Sequence, residues 1–289
     1  MLLHQVKHAD MPNVGASQTG TLALATANNH HGLLLNCISA VPAALTQAQI
    51  ETDIASVTIT VKQKDGPVIQ LANELTPAFI FDCLNDYPNA GKAAYTNAGC
   101  LYLPYTRPGR LRAKNWTLAI GMADIESYQV QVEFTAGLAT LAVMEVIPVF
   151  DRLPVRRLGE HIRIDPLTRA TAGTGVETVL NLPSGEPGTA MLGYHLGLGA
   201  APGVIANVES RMNNEIIYDS LDAAMNNRNL RDAGRTPNAD YFHVAFDLDG
   251  DALPVGMASS FLQRWNWSTA PTAYTVWPEM IYGLGQSNE

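Results

Sequence analysis

One structural pattern is written twice in this chain, and that repetition limits the fold more than any other feature. Val57-Thr58-Ile59-Thr60-Val61 alternates apolar and polar residues as a strand does, breaks at Asp65-Gly66, resumes at Val68-Ile69-Gln70-Leu71 and runs into a helical pattern. Val204-Ile205-Ala206-Asn207-Val208 does the same, breaks at Asn213-Asn214, resumes at Ile216-Ile217-Tyr218 and again runs into a helical pattern. A period of about half the chain is too long for a solenoid, and it reads as two tandem copies of one β-rich domain.

The segments between these passages fit that plan. In the first half, strands are expected at 21–26, 32–38, 56–63, 67–71, 100–104, 117–121, 127–135 and 139–147. Asp65-Gly66 suits a tight hairpin whose two positions tolerate positive φ. Thr76-Pro77 reads as an N-cap followed by proline at the first helical position, and Ile80, Cys83, Leu84 and Tyr87 then share one helical face up to Pro88. In the second half, strands are expected at 176–182, 191–198, 203–211, 215–218, 241–247, 259–267 and 272–282, with a weaker helix over 219–231. Residues 1–18 read as an arm, 19–150 and 151–289 as the two domains, and the proline- and arginine-rich span 148–173 as their linker. The expected fold is all-β: two tandem eight-stranded jelly-roll β-barrels, each with a short α-helix inserted after the fourth strand.

Composition narrows the function classes. Charged residues are only 16% of the chain against 47% hydrophobic, so much of the surface is expected to be covered by neighbouring subunits. A net charge of −9 argues against sequence-specific or wrapping contacts with nucleic acid. Short basic clusters at Arg107, Arg110, Arg112, Lys114 and at Arg152, Arg156, Arg157 read as solvated loop charge or interface pairs. Cys37, Cys83 and Cys100 have no metal-ligand spacing and read as buried free thiols of a reducing compartment. With no signal-peptide core and no apolar run long enough for a bilayer, a soluble protein made in a cytoplasm is expected.

Motifs for catalysis are missing: there is no G-x-S-x-G, P-loop, H-E-x-x-H or C-x-x-C. The run Gly197-Leu198-Gly199-Ala200-Ala201-Pro202-Gly203 lacks dinucleotide-loop spacing and reads as a turn. His30 and His31, adjacent in a strand, point to opposite faces and do not share an ion; His195 and His243 read as structural or surface residues. Asp247, Asp249 and Asp251 are spaced like the opening of a calcium loop, but Ala258 stands where the bidentate glutamate belongs. The span is therefore a polar turn, or a weak Ca²⁺ site and the one cofactor the sequence suggests. Trp265 and Trp267 put two indoles on one strand face, either filling the core or anchoring an interface.

The layout resembles the double jelly-roll major capsid proteins, with most likeness to those of tailless, membrane-containing bacteriophages of the corticovirus kind within the wider tectivirus and adenovirus lineage. It is carried by the paired rolls with their helices, Met11-Pro12-Asn13-Val14 before the first strand, 175–183 leading to Gly193-Tyr194-His195-Leu196, and 241–250. The resemblance implies a viral structural protein without catalysis: homotrimers of pseudo-hexagonal outline that tile an icosahedral shell, assembled in the host cytoplasm and located in the virion. It also implies penton, minor capsid or membrane-protein partners and an internal lipid membrane met by the arm. On that reading Lys7, with His4 and His8, meets headgroups or a neighbouring trimer, and Arg156 and Arg157 are further interface candidates. A receptor- or carbohydrate-binding jelly roll (a spike or lectin) and a cupin-like enzyme are the alternatives. The first needs an exposed aromatic platform, the second a histidine cluster inside one barrel.

Overall fold

The computed structural model describes residues 2–41, 43–88, 99–107, 118–170, 173–179, 182–198 and 203–284. Strands in chain order through the first half are β1 (His4–Gln5), β2 (Ala9–Asp10), β3 (Thr19–Ala23), β4 (Asn29–Ser39), β5 (Ile54–Gln63), β6 (Val68–Leu75), β7 (Cys100–Pro104), β8 (Ile125–Phe134) and β9 (Leu141–Asp151). One sheet runs β1–β9–β4–β7 with β2 also on β9, and the facing strands run β3–β8–β5–β6. The second half repeats this order. With β10 (His161–Ile164), β11 (Leu167–Ala170), β12 (Gly175–Val179), β13 (Ala190–Gly197), β14 (Val204–Met212), β15 (Glu215–Leu221), β16 (Tyr241–Ala245), β17 (Phe261–Thr269) and β18 (Ala273–Tyr282), the sheets are β10–β18–β13–β16, with β11 also on β18, and β12–β17–β14–β15. In each half the opening strand is broken into two short pieces, giving eight strands per roll once each pair is counted as one. The halves are two copies of the same jelly roll.

Local chemistry sets the breaks. Asn213 and Asn214 both take positive φ, the pair of left-handed residues a two-residue hairpin needs, whereas at Asp65-Gly66 only Asp65 does. Thr76 caps the helix of the first roll by accepting from Phe79 N at 3.3 Å, with Pro77 at its first position. That helix, α2 (Pro77–Phe79), widens at once into a π-helical stretch, Ile80–Asp86. Asn85 holds the wide turn, donating to Ile80 O at 2.6 Å and to Tyr102 O at 3.1 Å. In the second roll α3 (Ala223–Asp232) is capped by Asp222, which accepts from Met225 N at 2.7 Å. The first roll also holds α1 (Gln47–Asp53), which the sequence did not suggest. Its last residue, Asp53, is buried and accepts from the backbone of Ala139 (2.9 Å), Thr140 (3.0 Å) and Leu141 (2.7 Å) and from the Thr140 hydroxyl. Burial works against that charge, but the donors outweigh it and hold the carboxyl below its ordinary pKa.

Two boundaries differ from expectation. The expected arm, 1–18, carries β1 and β2, the edge of the first roll; His4 stacks on Phe150 and His8 Nε2 meets Ala23 O at 3.0 Å. The expected linker, 148–173, is about half strand among the described residues: β9 continues through Pro148 to Asp151, and β10 and β11 open the second roll. Between them the chain lies flat on the first roll. A side chain on Gly121 would put its Cβ 2.2 Å from Arg157 O, so only glycine lets these backbones meet. Among the described residues no helix is long and apolar enough to cross a membrane.

Candidate functional site

The rolls do not hang on a hinge. β10 of the second roll pairs in parallel with β6 of the first, Ile164 opposite Ala72, so a nine-stranded sheet runs through both. Asn73 Nδ2 donates to Asp165 Oδ1 at 2.7 Å across the same edge. Over the rest of the seam, the sheet β18–β13–β16 is buried on both faces. Period-2 alternation sorts its residues. Tyr194, Leu196, Phe242, Val244, Val276 and Met280 fill the second roll's core, while His195, Tyr241, His243, Trp277, Glu279 and Ile281 face the first roll.

The first roll covers that outward face with its helical insertion. Phe79 stacks on Trp277 with centroids 4.9 Å apart, and Tyr87 lies 5.1 Å from His195 and 4.3 Å from His243. Polar pairs complete the seam. Arg107 Nε donates to Glu279 Oε2 at 2.7 Å, its Nη1 donates to Pro104 O, and the pair is buried at 3% and 0% side-chain exposure. Glu279 Oε1 also takes His195 Nε2 at 2.7 Å, and His195 Nδ1 meets His243 Nδ1 at 2.6 Å. Arg235 binds Asp247 Oδ1 at 2.7 Å and the Tyr87 hydroxyl at 3.0 Å, and Thr236 N donates to Tyr87 O at 2.9 Å. Breaking such a buried pair from one side leaves an uncompensated charge, which costs about 3–5 kcal/mol. The seam fixes the angle between the rolls.

Several expected site residues fall elsewhere. Trp265 and Trp267 are 0% and 1% exposed and lie inside the second roll, so they are core residues and not interface anchors. Trp265 Nε1 donates to Tyr194 OH at 2.9 Å, and Trp267 Nε1 donates to Glu177 at 3.2 Å, which lets the rings sit in the core without an orphaned N–H. Asp247 is committed to Arg235 while Asp249 and Asp251 are exposed, so the three do not gather as calcium ligands. Lys7 is exposed but engaged with Asp10 and Glu145, both at 2.8 Å, so it does not reach outward as an arm residue would. Arg156 is half-buried, with its backbone N donating to Asn29 Oδ1 at 2.9 Å, and Arg157 is exposed. Arg107 is a buried seam residue, not loop charge; Arg110, Arg112 and Lys114 lie outside the described residues.

His30 and His31 do diverge: His31 Nε2 meets Asp151 at 2.7 Å, while His30 packs edge-on to Tyr128 at 5.1 Å. Burial lowers the His30 pKa to about 4, so the ring is neutral near pH 7. His195 and His243 are neither isolated nor on the surface. The register places them directly opposite each other on β13 and β16. Cys83, on the π-helical stretch, brings its sulfur to them, the single grouping of three metal-ligating residues among the described residues. Burial pushes the Cys83 thiol pKa well above its ordinary value. The readable trace was the unbroken apolar character of 190–197 and 241–245, which marks strands covered on both faces and makes their histidines buried ones.

Comparison with known proteins agrees with this architecture. No curated protein matches the sequence. A solved structure, the major capsid protein P2 from bacteriophage PM2, is 12% identical and superposes over 100% of both chains with a TM-score of 0.78. A chain of the PBCV-1 virus capsid is 9% identical over 99% of this chain and 97% of that one (TM-score 0.63). One from Sulfolobus Turreted Icosahedral Virus is 8% identical over 98% and 92% (TM-score 0.64). The fold is therefore the double jelly roll, and residues 162–283 match the family described as viral coat protein P2 C-terminal domain.

Proposed function

We propose that the chain is a viral major capsid protein, located in the virion, which associates with copies of itself into homotrimers and tiles them into a shell. One observation carries the reading: two rolls of identical strand order are locked into a rigid pair by a buried seam. A trimer of such pairs presents six nearly equivalent flanks and packs as a hexagon, which one roll per chain does not achieve. The outer strands support self-association. Val176 on edge strand β12 and Ile216 on edge strand β15 are 64% and 51% exposed, and such edges are usually protected by charge or covered.

The proposed role is structural, with no reaction and no cofactor assigned to it. The spike or lectin alternative loses its aromatic platform, because both indoles are internal. Penton, minor capsid and membrane-protein partners, and a lipid membrane beneath the shell, belong to the same reading. Because Lys7 and His8 are engaged within their own roll, lipid contact passes to Leu2 and Leu3, 74% and 40% exposed. Light scattering coupled to size-exclusion chromatography, followed by negative stain, tests the assembly. Three chains per particle with hexagonal outlines are expected; a species that stays monomeric at every concentration overturns it. Virions carrying Leu2→Ser and Leu3→Ser with unchanged lipid content would remove the membrane contact.

A further inference from the structure

We propose that Cys83, His195 and His243 form a zinc site that staples the helical insertion of the first roll to the sheet of the second. A thiolate with two imidazoles is a donor set suited to Zn²⁺, and a carboxylate-free trio of this kind does not suit calcium or magnesium. One ligand atom from each residue lies within 4.8 Å of the others, and all three residues are buried. They come from three elements, the π-helical stretch, β13 and β16, so the arrangement is a product of tertiary packing and not of one loop.

The surroundings are those of a built site. His195 Nε2 lies 2.7 Å from Glu279 Oε1, the outer carboxylate that commonly orients a zinc-bound imidazole. That hydrogen bond sets a proton on His195 Nε2, facing the carboxylate, and turns Nδ1 toward His243. His243 Nδ1 faces it across 2.6 Å, a gap that holds one hydrogen between the rings. Zinc takes the place of that hydrogen: His243 then carries its proton on Nε2, the thiol proton leaves to solvent, and both Nδ1 atoms and the sulfur face the metal. Tetrahedral bonds of about 2.0–2.3 Å require the two nitrogens to stand about 3.3 Å apart, a small outward turn of the rings. Phe79 and Tyr87 pack edge-on to His195, at 5.6 and 5.1 Å, and form the apolar shell. A cavity of about 290 Å³ lined by Asn226, Tyr241, Phe242 and His243 lies beside β16. The wide π turn has a reason here, since such turns recur where a side chain must be placed for function.

The test uses the purified full chain, Zn²⁺ itself and Co²⁺ as a spectroscopic probe. One zinc per chain should survive exchange into metal-free buffer, and the thermal midpoint should rise with added zinc. Cobalt should give the intense visible bands of a tetrahedral site with a near-ultraviolet sulfur-to-metal band. Cys83→Ser should abolish that band, and Cys100→Ser should leave it intact. His243→Asn should weaken zinc binding by at least about 100-fold, more than loss of an outer-sphere partner does. If Cys83→Ser does not fold, the wild-type cobalt spectrum still decides. A weak octahedral spectrum, no retained zinc, or a sulfur band that persists in Cys83→Ser would each overturn the proposal.

Discussion

The two rolls share one strand order yet are fastened internally by different chemistry. In the first, polar groups close the ends of the barrel: Asp53 gathers the amides of 139–141, and Asp151 takes His31 and Asn29. In the second, an aromatic stack fills the middle. Trp265, Trp267, Tyr194 and Tyr274 interlock, and Gln263 Oε1 accepts from Tyr194 and Ser210. Topology is therefore indifferent to which side chains fill and tie each core. What the rolls do share is the seam. Its apolar residues, Tyr241, Trp277 and Ile281, are carried on the second roll's strands but pack into the first roll's core, which makes it the place where orientation is specified.

The largest effect expected is at that seam. Glu279→Gln leaves the buried Arg107 without its counter-charge and should cost about 3–5 kcal/mol; denaturant melts should split into two steps if the rolls come uncoupled, and an unchanged single transition would show the seam to be dispensable. Trp265→Ala should cost the second roll a similar amount, about 3–5 kcal/mol by cavity formation, read as a lowered urea midpoint. Asp53→Asn should cost the first roll about 2–3 kcal/mol, because an amide cannot accept as a carboxylate does from three backbone amides. If the two losses were equal in kind as well as size, each core would respond alike to acid, and that is not expected.

Acid separates them further. His30 has a folded pKa of about 4, below the value near 6.5 of an unfolded chain, so the unfolded state binds the proton first. Stability is intact above pH of about 6.5 and falls as pH drops toward 4, by about 1.4 kcal/mol per unit at most. His30→Leu should flatten that part of the stability–pH curve. Asp53, depressed in the fold, adds its own loss below pH of about 4 and in the same direction. Smallest of all, Lys7→Ala should leave the melting midpoint where it was, since its ion pairs lie in water.

Much of the fold was legible because alternation is a local property. A strand such as Ile125–Phe134 must put Val130, Val132 and Phe134 on one face whatever surrounds it, and the Asn213-Asn214 and Thr76-Pro77 signals act over a few residues. The edge strand at His4–Gln5 was hidden because its pairing energy comes from β9, more than a hundred residues away, and not from its own pattern. The widening of α2 into a π turn likewise depends on Asn85 reaching Tyr102.

Sequence alone therefore determined that the chain is a duplicated β-sandwich, through two copies of one run of strands, hairpin and helix. Only the tertiary structure decided which charges meet. Glu279 finds Arg107 and His195, and Cys83 finds the histidines, through strand register and docking of the rolls. Slipping a register by one residue turns every side chain to the other face, so no local pattern says which histidine stands opposite which.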